Sequence, residues 1–174
     1  MISRDTALII IDFQQRMIPH VFNNEEILRN ARKLVKAFKI FKMPILRTEQ
    51  RKLGKTVEGL NEGKAIEKIT FSCYKERKFV EELEKINVKN CLLIGIETHI
   101  CVLQTALDLK NNGYNVYVAV DCTGARKKID MEVALKRLAN EGVKLTTAET
   151  AIYEILESAD AKEFKEILKL IKEE

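Results

Sequence analysis

The run Ala7-Leu8-Ile9-Ile10-Ile11, stopped at once by Asp12, constrains the fold more than any other stretch of the chain. Four of its five residues are large and aliphatic, and consecutive side chains of a strand point to opposite faces. Both faces of this strand must therefore be covered, which is the situation of a central strand in a parallel sheet with helices on either side. Five further short apolar runs follow the same plan. The spacing predicts strands over Pro44–Thr48, Ala65–Ile69, Lys89–Gly95, Tyr114–Val120 and Val143–Thr146. Between them lie 3.6-residue patterns: apolar positions at Ile27, Ala31, Leu34, Val35, Phe38 and Phe41, then helices over Glu76–Ile86, Thr98–Asn112 and Asp130–Asn140. Gly113 and Gly142 follow two of these helices, where glycine accepts the left-handed conformation that ends a helix. Two last helices are expected over Glu149–Glu157 and Ala161–Lys172.

Strand–helix alternation along the whole length implies an α/β fold: a three-layer αβα sandwich on a six-stranded parallel sheet in the Rossmann-like order 3-2-1-4-5-6. The chain of 174 residues has the length of one domain, and no linker or repeat divides residues 1–174. With 46% hydrophobic residues and a net charge of only +4, it is not a disordered segment. Lysine and arginine alternate with glutamate, as in Lys75-Glu76-Arg77-Lys78, so no basic block marks a nucleic-acid surface. No stretch reaches the roughly 18 apolar residues of a membrane span. Two histidines cannot make a three-histidine zinc site, and the four cysteines, at 73, 91, 101 and 122, include no C-x-x-C pair. Reduced thiols, a cytoplasmic protein, and neither metal nor cofactor are the expectations.

In a sheet of this order ligands bind beyond the carboxyl ends of strands one and four, where the order reverses. Strand one ends on Asp12. Strand four runs into Gly95-Ile96-Glu97-Thr98-His99-Ile100-Cys101, so a carboxylate and a thiol face each other across the crevice. Cys101 falls in the first turn of a predicted helix, where free N–H groups and the helix dipole favour a thiolate and could form an oxyanion hole. Lys68, at the end of strand three, supplies a cation. Such a trio suits nucleophilic catalysis: the thiol attacks, the carboxylate moves protons and the cation steadies negative charge. Taken singly, each residue also has an ordinary structural use, the cysteine as a small core residue and the aspartate as a turn former. Residues 49–63 hold three of the seven glycines and form a long loop of the kind that is often functional. Loop positions make Phe13, Glu49, Gln50, Phe71, Ile96 and Glu97 candidate substrate contacts. His99 is a substrate contact, a tuner of the thiol, or a polar residue at the helix start.

The residues resemble the isochorismatase-like hydrolases of the cysteine hydrolase superfamily. Asp12-Phe13-Gln14 is similar to that family's D-x-Q opening and Lys68-Ile69-Thr70-Phe71-Ser72 to its K-x-x-F-S segment. Gly95-Ile96-Glu97-Thr98-His99-Ile100-Cys101-Val102 resembles its G-x-x-T-x-x-C-V nucleophile motif. Thr48-Glu49-Gln50 and Asp121-Cys122-Thr123-Gly124-Ala125-Arg126 extend the match, in order, over residues 5–171. The resemblance implies a catalytic triad of Asp12, Lys68 and Cys101 acting on a small amide-like substrate through a covalent thioester. It further implies an oxyanion hole at the amides of Thr98 and Cys101, a cis peptide before Glu97, and a homo-oligomer, dimer or larger. Two departures matter. No histidine lies in residues 45–67, where nicotinamidases of the family hold a metal, and Thr98-His99-Ile100-Cys101 replaces the amidases' T-D-x-C, closer to the branch named only for its isochorismatase domain. Isochorismatase-type C–O hydrolysis uses no nucleophilic cysteine, so Cys101 argues against it. A non-catalytic binding module on the same scaffold is the reading from another class. A dinucleotide binder lacks the G-x-G-x-x-G that would follow strand one. Among the remaining thiols, Cys73 is a candidate pocket residue, Cys91 an inert core residue, and Cys122 a candidate for the pocket rim.

Overall fold

The structure, a computed structural model, describes residues 1–172. Six parallel strands form one sheet: β1 (Thr6–Ile11), β2 (Ile45–Gln50), β3 (Ala65–Lys68), β4 (Asn90–Ile96), β5 (Asn115–Gly124) and β6 (Lys144–Thr146), in the order β3-β2-β1-β4-β5-β6. The α/β architecture and strand order expected from the sequence are those observed. β1 is buried at every position and divides its side chains between two cores. Leu8 and Ile10 pack beneath α1 (Asn24–Ile40), α5 (Ala148–Leu156) and α6 (Phe164–Lys172). Ala7, Ile9 and Ile11 pack beneath α2 (Arg77–Ile86), α3 (Leu103–Asn111) and α4 (Lys128–Asn140). Helices thus cover both faces, as a strand with no polar face requires.

The departures from the sequence reading gather at the carboxyl end of the sheet. Instead of one helix over Thr98–Asn112, the five residues Thr98–Val102 form a π-helical turn and α3 starts only at Leu103. Wide turns of this kind occur inside helices chiefly at functional sites. β5 continues to Gly124 rather than ending at Val120. Its ladder with β4 slips between Leu93 and Gly95, so that Thr123 and Gly124 return to pair with Gly95 and Ile96. That extra length carries the following residues, Ala125 and Arg126, to the mouth of the crevice. The loop after β2 is pinned rather than loose: Gln15 N bonds Lys55 O and Val57 N bonds Phe13 O, while Leu60 is buried in the core. Short 3₁₀ turns at Ile18–His20 and Cys73–Lys75 complete the elements. Among the described residues, no helix is long and apolar enough to cross a membrane, and all four cysteines are free.

Two glycines are required by contact. Gly95 has φ +147°, and a Cβ there would stand 2.2 Å from Ile11 O, because β4 presses its last residues against the end of β1. At Gly124 a Cβ would meet Ile27 Cδ1 at 2.5 Å, which lets α1 sit close to the end of β5.

Candidate active site

Asp12, the first residue beyond β1, adopts φ +52°, a left-handed conformation in which aspartate is among the few tolerated side chains. Its carboxylate is buried. Oδ1 accepts from Thr48 Oγ1 at 2.8 Å, a contact prepared by the register that sets Thr48 beside Ile11. Oδ2 lies 2.7 Å from Lys68 Nζ, but the approach is off the line of a good hydrogen bond, so this contact is mainly Coulombic. Lys68 is 1% exposed and Asp12 2%, which makes the two a buried ion pair.

The same ammonium donates to Gln50 Oε1 (2.7 Å), Phe71 O (3.0 Å), Thr70 O (3.1 Å) and Cys101 Sγ (3.5 Å). Asp12, Lys68 and Cys101 therefore meet at one point, brought there from β1, β3 and the turn after β4. Burial works against the charge on Lys68, yet Asp12 and the two nearby thiols outweigh it and hold the amine above its ordinary range. For Cys101 the balance is reversed. Burial first, then the Asp12 charge, push the thiol well up, and Lys68 offsets only part of it. The lowered thiol expected from the helix start is thus not what the surroundings produce. The thiol keeps its proton at neutral pH, so any nucleophilic role for it would need a base beside it.

A cavity of about 240 Å³ opens over this point. Apolar side chains of Met17, Leu53, Phe71, Ile96 and Ile100 form most of its wall, with Asp12, Cys101, Gln50, Glu97 and Arg126 as the polar groups. A wider hollow of about 560 Å³ beside β6 holds no thiol. Glu97 is buried and receives Arg126 N at 2.9 Å and Arg126 Nε at 3.1 Å, so the guanidinium is fixed from one edge while its side chain stays largely exposed. The Ile96–Glu97 peptide is cis, the isomer that the resemblance implies.

Of the expected contacts, Gln50, Phe71, Ile96 and Glu97 line the cavity, whereas Phe13, Glu49 and His99 do not. Phe13 turns into the core beneath α1 once the left-handed turn at Asp12 has reversed the chain. Glu49 points away, bound by Arg47 Nη1 (2.7 Å) and by the amide and hydroxyl of Thr56. Burial opposes its ionisation, but these donors win and hold the carboxyl below its ordinary range. His99 lies toward the first turn of α4, with Nε2 4.0 Å from Asp130 Oδ2. Thr98 is buried with its hydroxyl on Thr123 (2.7 Å), leaving only its backbone near the thiol. Cys122 sits in the core on the α1 face and not at the rim, because β5 runs past it. Cys73 lies behind the carboxylate, 3.6 Å from Thr48 Oγ1, and is fully buried like Cys91.

Sequence reasoning passed over Thr48, Gln14, Leu53 and Arg126. Gln14 exchanges two hydrogen bonds with the backbone of Gln50, accepting at 2.8 Å and donating at 3.0 Å, and so aims the side chain that receives Lys68. Its signal was present in the D-x-Q spacing, just as Arg126 stood in the segment quoted after strand five.

Comparison with known proteins agrees with this fold. The isochorismatase domain family model matches residues 6–150. Isochorismatase family protein 2A of Dictyostelium discoideum is 38% identical, over 97% of this chain and 91% of that protein. A solved structure described as the MAR1 ribonuclease from Caenorhabditis elegans has a TM-score of 0.90 at 36% identity, covering 98% of this chain and 91% of that one. The Escherichia coli YcaC product, described as an octameric hydrolase of unknown specificity, has a TM-score of 0.93 over 98% of this chain and 88% of that one, at 20% identity, and so shares the fold.

Proposed function

The chain belongs to the isochorismatase family of hydrolases, within the cysteine hydrolase superfamily, and from that premise we propose that it cleaves a small amide-like C–N bond through a thioester on Cys101. The observation that carries this reading is the single ammonium of Lys68 standing 2.7 Å from Asp12 Oδ2 and 3.5 Å from Cys101 Sγ at the cavity floor. The thiol is protonated at rest, so attack is concerted. Sγ adds to the carbonyl carbon while Asp12 takes the thiol proton. Asp12 then passes that proton to the leaving nitrogen as the C–N bond breaks and an amine or ammonia departs. Water, deprotonated by Asp12, opens the thioester, the acid leaves, and the proton returns to Sγ. Lys68 holds its charge beside both groups throughout. We assign the oxyanion to the N–H groups of Thr98 and Cys101, since those of Ile100 and Val102 are already bound to Glu97 O.

The cavity suits a small, mainly apolar acyl group, with an acceptor at the end facing Arg126, whose guanidinium has N–H donors beyond the one given to Glu97. The Caenorhabditis elegans relative is described as a ribonuclease; a 240 Å³ cavity with a thiol at its floor favours a small carbonyl compound over a nucleic-acid strand. Exposed Phe22, Ile129 and Val133 are the support for a homo-oligomer, and four free thiols are the support for a reducing, cytoplasmic setting.

Incubation with a panel of small amides, followed by peptide mass spectrometry, tests the reading. An acyl adduct on the Cys101 peptide, absent from Cys101→Ala, is the expected result. No adduct from any amide, together with RNA cleavage that survives Cys101→Ala, would overturn it.

A further inference from the structure

The turn Ile69–Phe71, between Lys68 and Cys73, has an unusual accounting of backbone groups. Backbone polar groups most often pair with other backbone groups. Here side chains take five of the six. Ile69 O accepts from Gln50 Nε2 at 2.7 Å, and Thr70 O and Phe71 O accept from Lys68 Nζ. Ile69 N (2.8 Å), Thr70 N (3.1 Å) and Thr70 Oγ1 (3.0 Å) all donate to one oxygen, Oε1 of Glu76.

Glu76 stands at the N-cap of α2, where a polar side chain ordinarily bonds the first turn of its own helix. It makes no such bond. Its carboxylate reaches back to the turn instead. Those three donors, the Ile69 amide foremost, hold its carboxyl below the ordinary range, so the clamp stays charged well into acid.

We propose that Glu76 is a positioning residue for the reactive centre: by fixing the turn whose carbonyls receive Lys68, it keeps Nζ beside Cys101 Sγ. Thr70 O and Phe71 O are two of the acceptors that hold the ammonium against the pull of Asp12 and Gln50. With the turn released, those carbonyls drift and Nζ settles on the carboxylate and the Gln50 amide. The sulfur of Cys101 then gives up its proton without its nearest cation. The same turn carries Phe71, which lines the cavity, so its release also loosens one wall. This inference rests on Cys101 as the reactive thiol, but not on the identity of any substrate.

The test is the rate of Cys101 alkylation by iodoacetamide between pH 7 and pH 11, read by peptide mass spectrometry in the full chain. Glu76→Ala is expected to slow alkylation about tenfold at each pH of this range, because a thiol raised by one unit carries a tenth of the thiolate. All three donors meet one oxygen, so Glu76→Gln, with an acceptor at the right reach, should stay within about threefold of the parent. Glu76→Asp keeps the charge but falls one methylene short, and should behave like Glu76→Ala. Melting temperatures separate this from a general loss of structure. The inference is overturned if the Ala and Asp variants keep the parent's pH profile. It is equally overturned if Asp preserves the profile and Gln does not, since charge and not the clamp would then be responsible. If Glu76→Ala does not fold, the contrast between Gln and Asp decides alone. Alkylation requires no turnover, so a shifted profile stands even where no amide gives an acyl adduct.

Discussion

Replacing Lys68 by methionine probes the central pair most directly. Lys68 and Asp12 are buried to within 1% and 2%, at an Nζ–Oδ2 distance of 2.7 Å. Breaking such a pair by removing one partner costs about 3–5 kcal/mol, because the other charge is left without a counter-ion in a site that water hardly reaches. Asp12 would retain only the hydroxyl of Thr48, while Gln50 Oε1, Thr70 O and Phe71 O would lose their common donor. For a domain of this length the loss corresponds to a fall in Tm of about 6–20 °C. Adding Asp12→Asn removes the stranded charge, and the double variant should recover about 1–3 kcal/mol relative to Lys68→Met alone. Urea unfolding at pH 7 measures both quantities. A Lys68→Met variant within 0.5 kcal/mol of the parent, or a double variant no more stable than the single one, would refute the reasoning.

Cys101→Ala should abolish hydrolysis in an amide-hydrolysis assay and leave the circular dichroism spectrum unchanged, since the side chain lies at the edge of the core, facing a cavity. Iodoacetamide should modify Cys101 before the other three thiols, because it is 7% exposed and they are fully buried, an order that peptide mapping reads directly. Burial raises Cys73 to about 11 and Cys91 to about 12, against about 8.5 in an unfolded chain, so stability present below pH 8.5 should be lost as pH rises. The loss should approach about 1.4 kcal/mol per pH unit for each thiol, and Cys91→Ala should flatten the slope of urea-derived stability against pH by that amount. Gly95→Ala should not yield folded protein in an expression trial, since its Cβ would stand 2.2 Å from Ile11 O; a well-folded variant would contradict the close approach of β1 and β4.

The sheet was legible because its signal is periodic and local. An all-apolar β1 demands cover on both faces, and the strand order then follows from alternation with helices. The trio at the crevice was legible for the same reason: Asp12, Lys68 and the turn holding Cys101 each adjoin a strand end, and strand ends converge by topology. What sequence could not display is side-chain direction one residue past a regular element. Phe13 follows a strand in which every residue is buried, and only the left-handed turn at Asp12 decides that it enters the core. Glu49 and Gln50 stand side by side on β2, yet parity sends one to Arg47 and the other to Lys68. The slip in the β4–β5 ladder left no mark in the run Tyr114–Val120, so Cys122 was expected at a rim that it does not reach.

The organisation of the site explains how a chain with a core of this kind tolerates a buried ion pair beside two thiols. A pair of charges taken out of water gains from mutual attraction only if its remaining donors and acceptors are also met. Here each charge is met by groups belonging to different elements. Asp12 has the β2 hydroxyl of Thr48, while Lys68 has the β2 amide of Gln50 and two carbonyls of the turn after β3. Gln14 and Glu76, neither of which touches the thiol, hold Gln50 and that turn in turn. The geometry of the trio is therefore a property of the joints between β1, β2 and β3 and not of any single motif. The side chains of the wall residues Leu53 and Ile100 supply none of these bonds, so exchanging either leaves the lattice around the thiol intact.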